Sequence, residues 1–170
     1  MDNLAPVADF VDLVEANAAY AESFSDGGFD GIAKAGVGIV TCMDSRIEPL
    51  EMLGLKLGDA KILRTPGGRV THTTLEALVI AVHLLGVKRI LIVAHTRCAM
   101  ASSTTQDLRD RIEASAGQDA SWLTITATAD QLESLADDVQ KLRTHPLVPE
   151  DVAVGGFVYD VDTGLIDRKY

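Results

Sequence analysis

Cys42, His95 and Cys98 are the residues of this 170-residue chain with the most chemistry to offer. His95 and Cys98 stand three apart where the apolar run Ile90 to Val93 ends, and Cys42 closes a second such run that begins at Val37. Two thiolates and an imidazole make a donor set suited to zinc, and a His-x-x-Cys step lets both side chains turn towards one ion where a strand passes into a helix. A helix beginning at or near Cys98 would favour its thiolate through the dipole and free backbone N–H groups. The spacing leaves other uses open, since Cys42 could serve simply as a small buried apolar residue. Two cysteines without an export signal point away from a structural disulfide.

Three ligands leave a fourth position. Asp44, two residues past Cys42, is near enough in sequence to fill it, and Arg46 is near enough to hold Asp44 away in a bidentate ion pair. In the first case the site is closed; in the second, water can enter.

These residues need a scaffold that brings two strand ends together. Val37 to Thr41, Lys61 to Leu63, Ile90 to Val93 and Val152 to Tyr159 read as four strands, and Asp162-Thr163-Gly164 turns the last into a short hairpin arm. Helices are expected over Ile47 to Leu53, closed by Gly54; from the capping-box pattern Thr73-Thr74-Leu75-Glu76 to Leu85; after Cys98; and after a second capping box, Thr128-Ala129-Asp130-Gln131. The fold class is α/β: an open, mostly parallel sheet of about four strands plus a short antiparallel C-terminal strand, with helices on both faces. With the first strand between the second and third, Cys42 would face His95 and Cys98 at the point where strand order reverses, which is where such sheets bind ligands.

One domain over residues 1–170 is expected, with 1–26 as an N-terminal helical arm. In that arm Val7, Phe10, Val11, Val14, Ala18, Ala21 and Phe24 recur at helical steps, Pro6 fits the first turn, and the stripe must pack on its own sheet or on a second subunit. The formal net charge of -10 disfavours nucleic acid and anionic membrane surfaces as partners. No signal peptide and no apolar stretch of spanning length is found, so a cytoplasmic location is expected.

Cys42-Met43-Asp44-Ser45-Arg46, followed about fifty residues later by His95-Thr96-Arg97-Cys98, resembles the paired motif of the β-class carbonic anhydrases, in particular their short bacterial type. The likeness runs from about Val37 to the strand Gly156-Phe157-Val158-Tyr159-Asp160. It implies zinc on Cys42, His95 and Cys98, with Asp44 as the proton acceptor that orients a zinc-bound hydroxide and Arg46 as its anchor. The implied reaction is reversible hydration of carbon dioxide to bicarbonate and a proton. The resemblance also implies a homodimer or homotetramer in which the N-terminal helix crosses the partner. Carbonyl sulfide and carbon disulfide hydrolases resemble the same scaffold and are the nearest alternative; others are a non-catalytic zinc protein with Asp44 as permanent fourth ligand, and a thiol redox protein. The chain departs from the family pattern at Thr65-Pro66-Gly67-Gly68, where Asn-Ala-Gly is usual after the strand's Arg64, and at Ala99, where Gly is common. Arg97 adds a positive charge between two ligands if it points inward, and otherwise is a solvated loop residue.

Of the other polar residues, His72 reads as a surface turn residue with proton shuttling as its alternative, His83 as a hydrogen-bonded core or interface histidine, and His145 as a loop residue. Arg64 and Arg69 flank the Gly pair and serve either bicarbonate binding or structure. Trp122 reads as packing.

Overall fold

The computed structural model describes residues 10–170. It divides into an N-terminal unit ending at Asp30 and a unit from Gly31 to Tyr170. The first holds helix α1, Val11–Ser23, none of whose residues is buried. Val11, Leu13, Val14 and Tyr20 all lie more than half exposed. Pro6 and Val7 of the expected helix fall outside the described residues.

The second unit is built on one five-stranded sheet: β1 Val37–Cys42, β2 Ala60–Thr65, β3 Arg89–His95, β4 Ala153–Tyr159 and β5 Ile166–Arg168, in spatial order β2-β1-β3-β4-β5. All pairings are parallel except β4 with β5. The first strand lies between the second and the third, as expected, with Thr41 opposite both Arg64 and Val93. Every residue of β1 is buried, which suits its continuous apolar run. Its one hydroxyl, Thr41 Oγ1, donates to the Val93 carbonyl at 3.1 Å and so does not stand unpaired in the core.

On one face of the sheet Val40, Ile92 and Ala94 pack with helices α2, His72–Leu84, and α4, Gln131–Arg143, through Leu78, Val82, Leu135, Val139 and Leu142. Fully burying a side chain such as Leu78 contributes roughly 1.5–3 kcal/mol. On the other face Val37, Ile39 and Val93 meet Met52, Leu53, Leu55, Phe157 and Ile166. Helix α3, Thr105–Ala116, follows the third strand.

Four local expectations need correcting. The segment Ile47 to Leu53 forms only a 3-10 turn, Glu51–Leu53, closed by Gly54 in the left-handed region; Pro49, which lacks an N–H, interrupts the run before it. The cap of α2 is Thr71, which accepts from the Thr74 N–H, not Thr73. Helix α3 starts well past Cys98, where Thr104 and Asp107 form a reciprocal capping box. Helix α4 is capped by Asp130, which accepts from the Glu133 N–H. Thr128 is instead fully buried and donates its N–H to the Met100 carbonyl.

Candidate metal centre

Cys42 is the last residue of β1 and His95 the last of β3, so adjacent parallel strands deliver both to one edge of the sheet. What lets the chain close over that edge is Gly68, whose φ of 69° belongs to the left-handed region. A Cβ there would sit 2.9 Å from the Val93 carbonyl oxygen and 3.3 Å from the Cys42 nitrogen. Only glycine fits this notch between β1 and β3. The Pro66–Gly68 turn is thereby pressed onto the strand ends, and the Gly67 N–H is turned towards Cys42.

The ligating atoms of Cys42, His95 and Cys98 all lie within 4.8 Å of one another, and all three residues are buried. His95 Nδ1 lies 2.9 Å from the Thr96 carbonyl, so it carries the proton and Nε2 presents a lone pair. That Nε2 is buried without a hydrogen-bond partner. An orphaned buried imidazole nitrogen facing two thiols is costly as a structural feature and natural as a metal site. Soft sulfur with one imidazole suits zinc.

The two thiols titrate as a pair. Cys42 is drawn well below the ordinary thiol range by the Cys98 side chain beside it, against the opposing effect of burial, with His95 and the N–H groups of Asp44 and Gly67 adding to the pull. Cys98 is pushed up by its contact with Cys42 and by burial. The expected helix N-terminus is absent at Cys98, but the turn after it aims the Met100 and Ala101 N–H groups at the sulfur and supplies the same kind of help.

Beside this cluster, Asp44 and Arg46 form a bidentate pair, one of the two arrangements that their spacing left open. Arg46 Nε meets Asp44 Oδ1 at 2.9 Å and Nη2 meets Oδ2 at 2.7 Å, while the Arg46 N–H adds a third bond to Oδ1 at 3.0 Å. The Arg46 guanidinium and N–H hold Asp44 well below the usual carboxylate range, so it is ionised at neutral pH. Asp44 Oδ2 stands 3.9 Å from His95 Nε2.

The carbonic anhydrase family model matches residues 37–166, a span that contains both motifs and most of the sheet. The chain belongs to the β-carbonic anhydrase family. It is 32% identical over 132 residues to Beta-carbonic anhydrase 1 of Mycobacterium tuberculosis, covering 78% of this chain and 80% of that one. It is also similar to a carbon disulfide hydrolase of Acidithiobacillus thiooxidans, 28% identical over 159 residues, with 79% and 73% covered. Among solved structures, a carbonic anhydrase from Streptococcus mutans superposes with a TM-score of 0.86 at 36% identity, over 96% of this chain and 99% of that one.

The departures from the β-carbonic anhydrase pattern acquire a physical reading here. Ala99 has no positive φ, so it needs none of glycine's freedom; the left-handed residue of this loop is Arg97, with φ 55°. Arg97 does not point at the cluster but pairs with Asp162. Arg64 donates to the Ile47 and Asp44 carbonyls and so braces the loop that carries the Asp44–Arg46 pair. Arg69 is bound to Asp138. His83 Nε2 lies 2.9 Å from the Leu147 carbonyl, His72 is exposed, and the Trp122 indole, itself largely exposed, donates to the Asp119 carbonyl. One supporting residue was missed from sequence: Gln131 donates to the His95 carbonyl at 3.0 Å. Its position in a capping-box pattern concealed this use.

Proposed function

We propose that this chain is a zinc enzyme catalysing reversible hydration of carbon dioxide to bicarbonate and a proton, with Cys42, His95 and Cys98 holding the metal and Asp44 and Arg46 acting beside it. The observation that carries the reading is the Asp44–Arg46 pair: both carboxylate oxygens accept from Arg46, while Oδ2 still stands 3.9 Å from His95 Nε2. With Asp44 committed to Arg46, a metal held by Cys42, His95 and Cys98 would have room for water, which argues against a purely structural metal site with Asp44 as permanent ligand. When bound, zinc would supply Lewis acidity that acidifies a water and makes it nucleophilic. The chain's own contribution is orientation and proton handling. Asp44, kept ionised by Arg46, accepts a proton at Oδ2, the oxygen nearest His95 Nε2. The Thr96 carbonyl fixes the His95 tautomer, and Gln131 holds the same stretch of backbone.

Hydrolysis of carbonyl sulfide or carbon disulfide is the second reading. It is supported by the carbon disulfide hydrolase relative and by a solved structure of such an enzyme, 25% identical with a TM-score of 0.70. A homodimer or dimer of dimers is part of the proposal and is supported by the uncovered apolar side chains of α1. No helix of the described residues is long and apolar enough to cross a membrane; we place the protein in the cytoplasm.

The deciding experiment is to measure zinc per chain and then compare carbon dioxide hydration with carbonyl sulfide and carbon disulfide hydrolysis at neutral and alkaline pH. One zinc per chain and carbon dioxide turnover that rises into the alkaline range are expected, because two thiolates offset the metal's charge and weaken its acidification of water. Full zinc with no turnover of any of the three substrates would overturn the enzyme reading, and loss of neither metal nor activity in Cys98→Ser would overturn the ligand assignment.

A further inference from the structure

Arg97 is the only non-glycine residue with positive φ among those described, and it stands between His95 and Cys98. Glycine adopts that backbone state freely, whereas a residue with a Cβ needs its surroundings to hold it there. Two contacts made by Arg97 bear on this. Its carbonyl accepts from Arg46 Nη2 at 3.3 Å, and its own Nη2 pairs with Asp162 Oδ1 at 2.5 Å.

Asp162 sits in a turn that is itself tied down. Its N–H donates to Asp160 Oδ1 at 2.8 Å, and Asp160 exchanges backbone bonds of 2.8 Å with Gly164 and Leu165. The Thr96 hydroxyl accepts from the Val161 N–H at 3.1 Å and reaches Asp160 Oδ1 at 3.5 Å. The turn after β4 therefore grips the loop after β3 at Thr96 and again, through Asp162, at Arg97. Asp162 is also near enough for its charge to act on Arg46.

We propose that Arg97 and Asp162 are positioning residues: their ion pair holds residue 97 left-handed so that its carbonyl anchors the Arg46 guanidinium, which keeps both oxygens of the Asp44 carboxylate engaged beside Cys42, His95 and Cys98. This rests on the zinc-enzyme reading of that cluster. The need for an anchor follows from the distances. With Asp44 Oδ2 only 3.9 Å from His95 Nε2, a modest rotation would turn it further towards the three donor side chains, and Arg46 is a long side chain that is 39% exposed. Both partners of the Arg97–Asp162 pair are 59% exposed, so the pair adds little to stability, and what it supplies is geometry.

The test uses the zinc-loaded full chain and the variants Arg97→Ala, Asp162→Asn, their combination, and Arg97→Lys, which restores a cation. Three quantities are read: zinc per chain, carbon dioxide hydration, and hydrogen exchange of the Arg46 Nε–H followed by nuclear magnetic resonance. Each single variant should lower kcat/KM roughly threefold to tenfold, and the double variant should be no worse than the poorer single, as expected of two residues acting through one contact. Arg46 Nε–H exchange should speed up in the same variants with zinc retained, and Arg97→Lys should recover most of both signals. Unchanged exchange and turnover would overturn the proposal. So would loss of zinc, because the pair would then be supporting the His95–Cys98 loop rather than Arg46. If the parent chain holds zinc yet hydrates no carbon dioxide, the functional reading fails, and the Arg46 exchange rates alone decide whether the anchor exists.

Discussion

Two arginine–carboxylate pairs in this molecule share their chemistry and differ in almost everything else. Arg69 and Asp138 are 69 residues apart, meet at 2.6 Å and 3.2 Å, and share the carboxylate with Lys141 at 2.7 Å and the Val70 N–H at 2.9 Å. The Asp138 side chain is 1% exposed. Arg46 and Asp44 are two residues apart, close a small local ring, and stand at the rim of the three-donor cluster. The first pair ties the loop after the Gly pair to α4, while the second is local to one loop and reaches another only through the Arg46 bond to the Arg97 carbonyl. Burial and sequence separation thus sort one kind of interaction into architecture and machinery.

The comparison breaks most sharply at Asp138. Removing one member of a buried ion pair leaves the other charge uncompensated, which costs about 3–5 kcal/mol. Asp138→Ala should lower the free energy of unfolding by that order in urea or guanidinium, and a loss under about 1 kcal/mol would put the pair in the same class as an exposed one. Asp44→Asn should do the reverse. Turnover is expected to fall by about two orders of magnitude, the lower end of what a positioned acid or base contributes. Unfolding free energy should change by no more than about 1 kcal/mol and zinc should stay bound.

Acid sharpens the contrast. Burial works to raise the Asp138 carboxyl, but hydrogen bonds from Arg69, Lys141 and the Val70 N–H prevail and bring it below its ordinary value. A carboxylate depressed in the folded state contributes stability above its unfolded value, near about 3.9, and that contribution fades as pH falls through the folded value. The parent chain should therefore lose more stability than Asp138→Asn between about pH 5 and pH 2. Parallel losses in denaturant titrations at several pH values would remove Asp138 from the acid response.

Sequence reading reached one of these pairs and not the other for a physical reason. Asp44 and Arg46 lie within one motif, and Cys42, His95 and Cys98 stand out because thiol and imidazole donors end apolar runs that a parallel sheet must bring together. Asp138 lies in Leu-Ala-Asp-Asp-Val, where either acid could be the solvated one, and nothing local says that a cation 69 positions away will meet it. From sequence, Arg69 therefore reads equally as a bicarbonate-binding or a structural residue. Helix starts were lost to a similar ambiguity: Val70-Thr71-His72-Thr73-Thr74 offers three threonines for one cap, and tertiary contacts of Thr128 and Gln131 override the capping pattern they spell. Apart from the turn at Glu51–Leu53, the element types followed from periodicity and the strand order from where a parallel sheet would bring the two motifs together, whereas ends and caps depended on which side chains the fold had claimed for other bonds.

The smallest expected effect tests whether the two arginines are used for the same property. Lysine keeps the charge of arginine and loses the planar fork. At position 69 the carboxylate would still have Lys141 and the Val70 N–H, so Arg69→Lys should cost about 1 kcal/mol, near one hydrogen bond, with turnover unaffected. At position 46 no other Lys or Arg side chain among the described residues shares the Asp44 carboxylate, and the direction in which its oxygens face is what the fork controls. Arg46→Lys should therefore leave the unfolding free energy essentially unchanged while lowering turnover severalfold. Equal effects of the two substitutions on both stability and turnover would mean that charge alone matters at each site, and the division between architecture and machinery would fail.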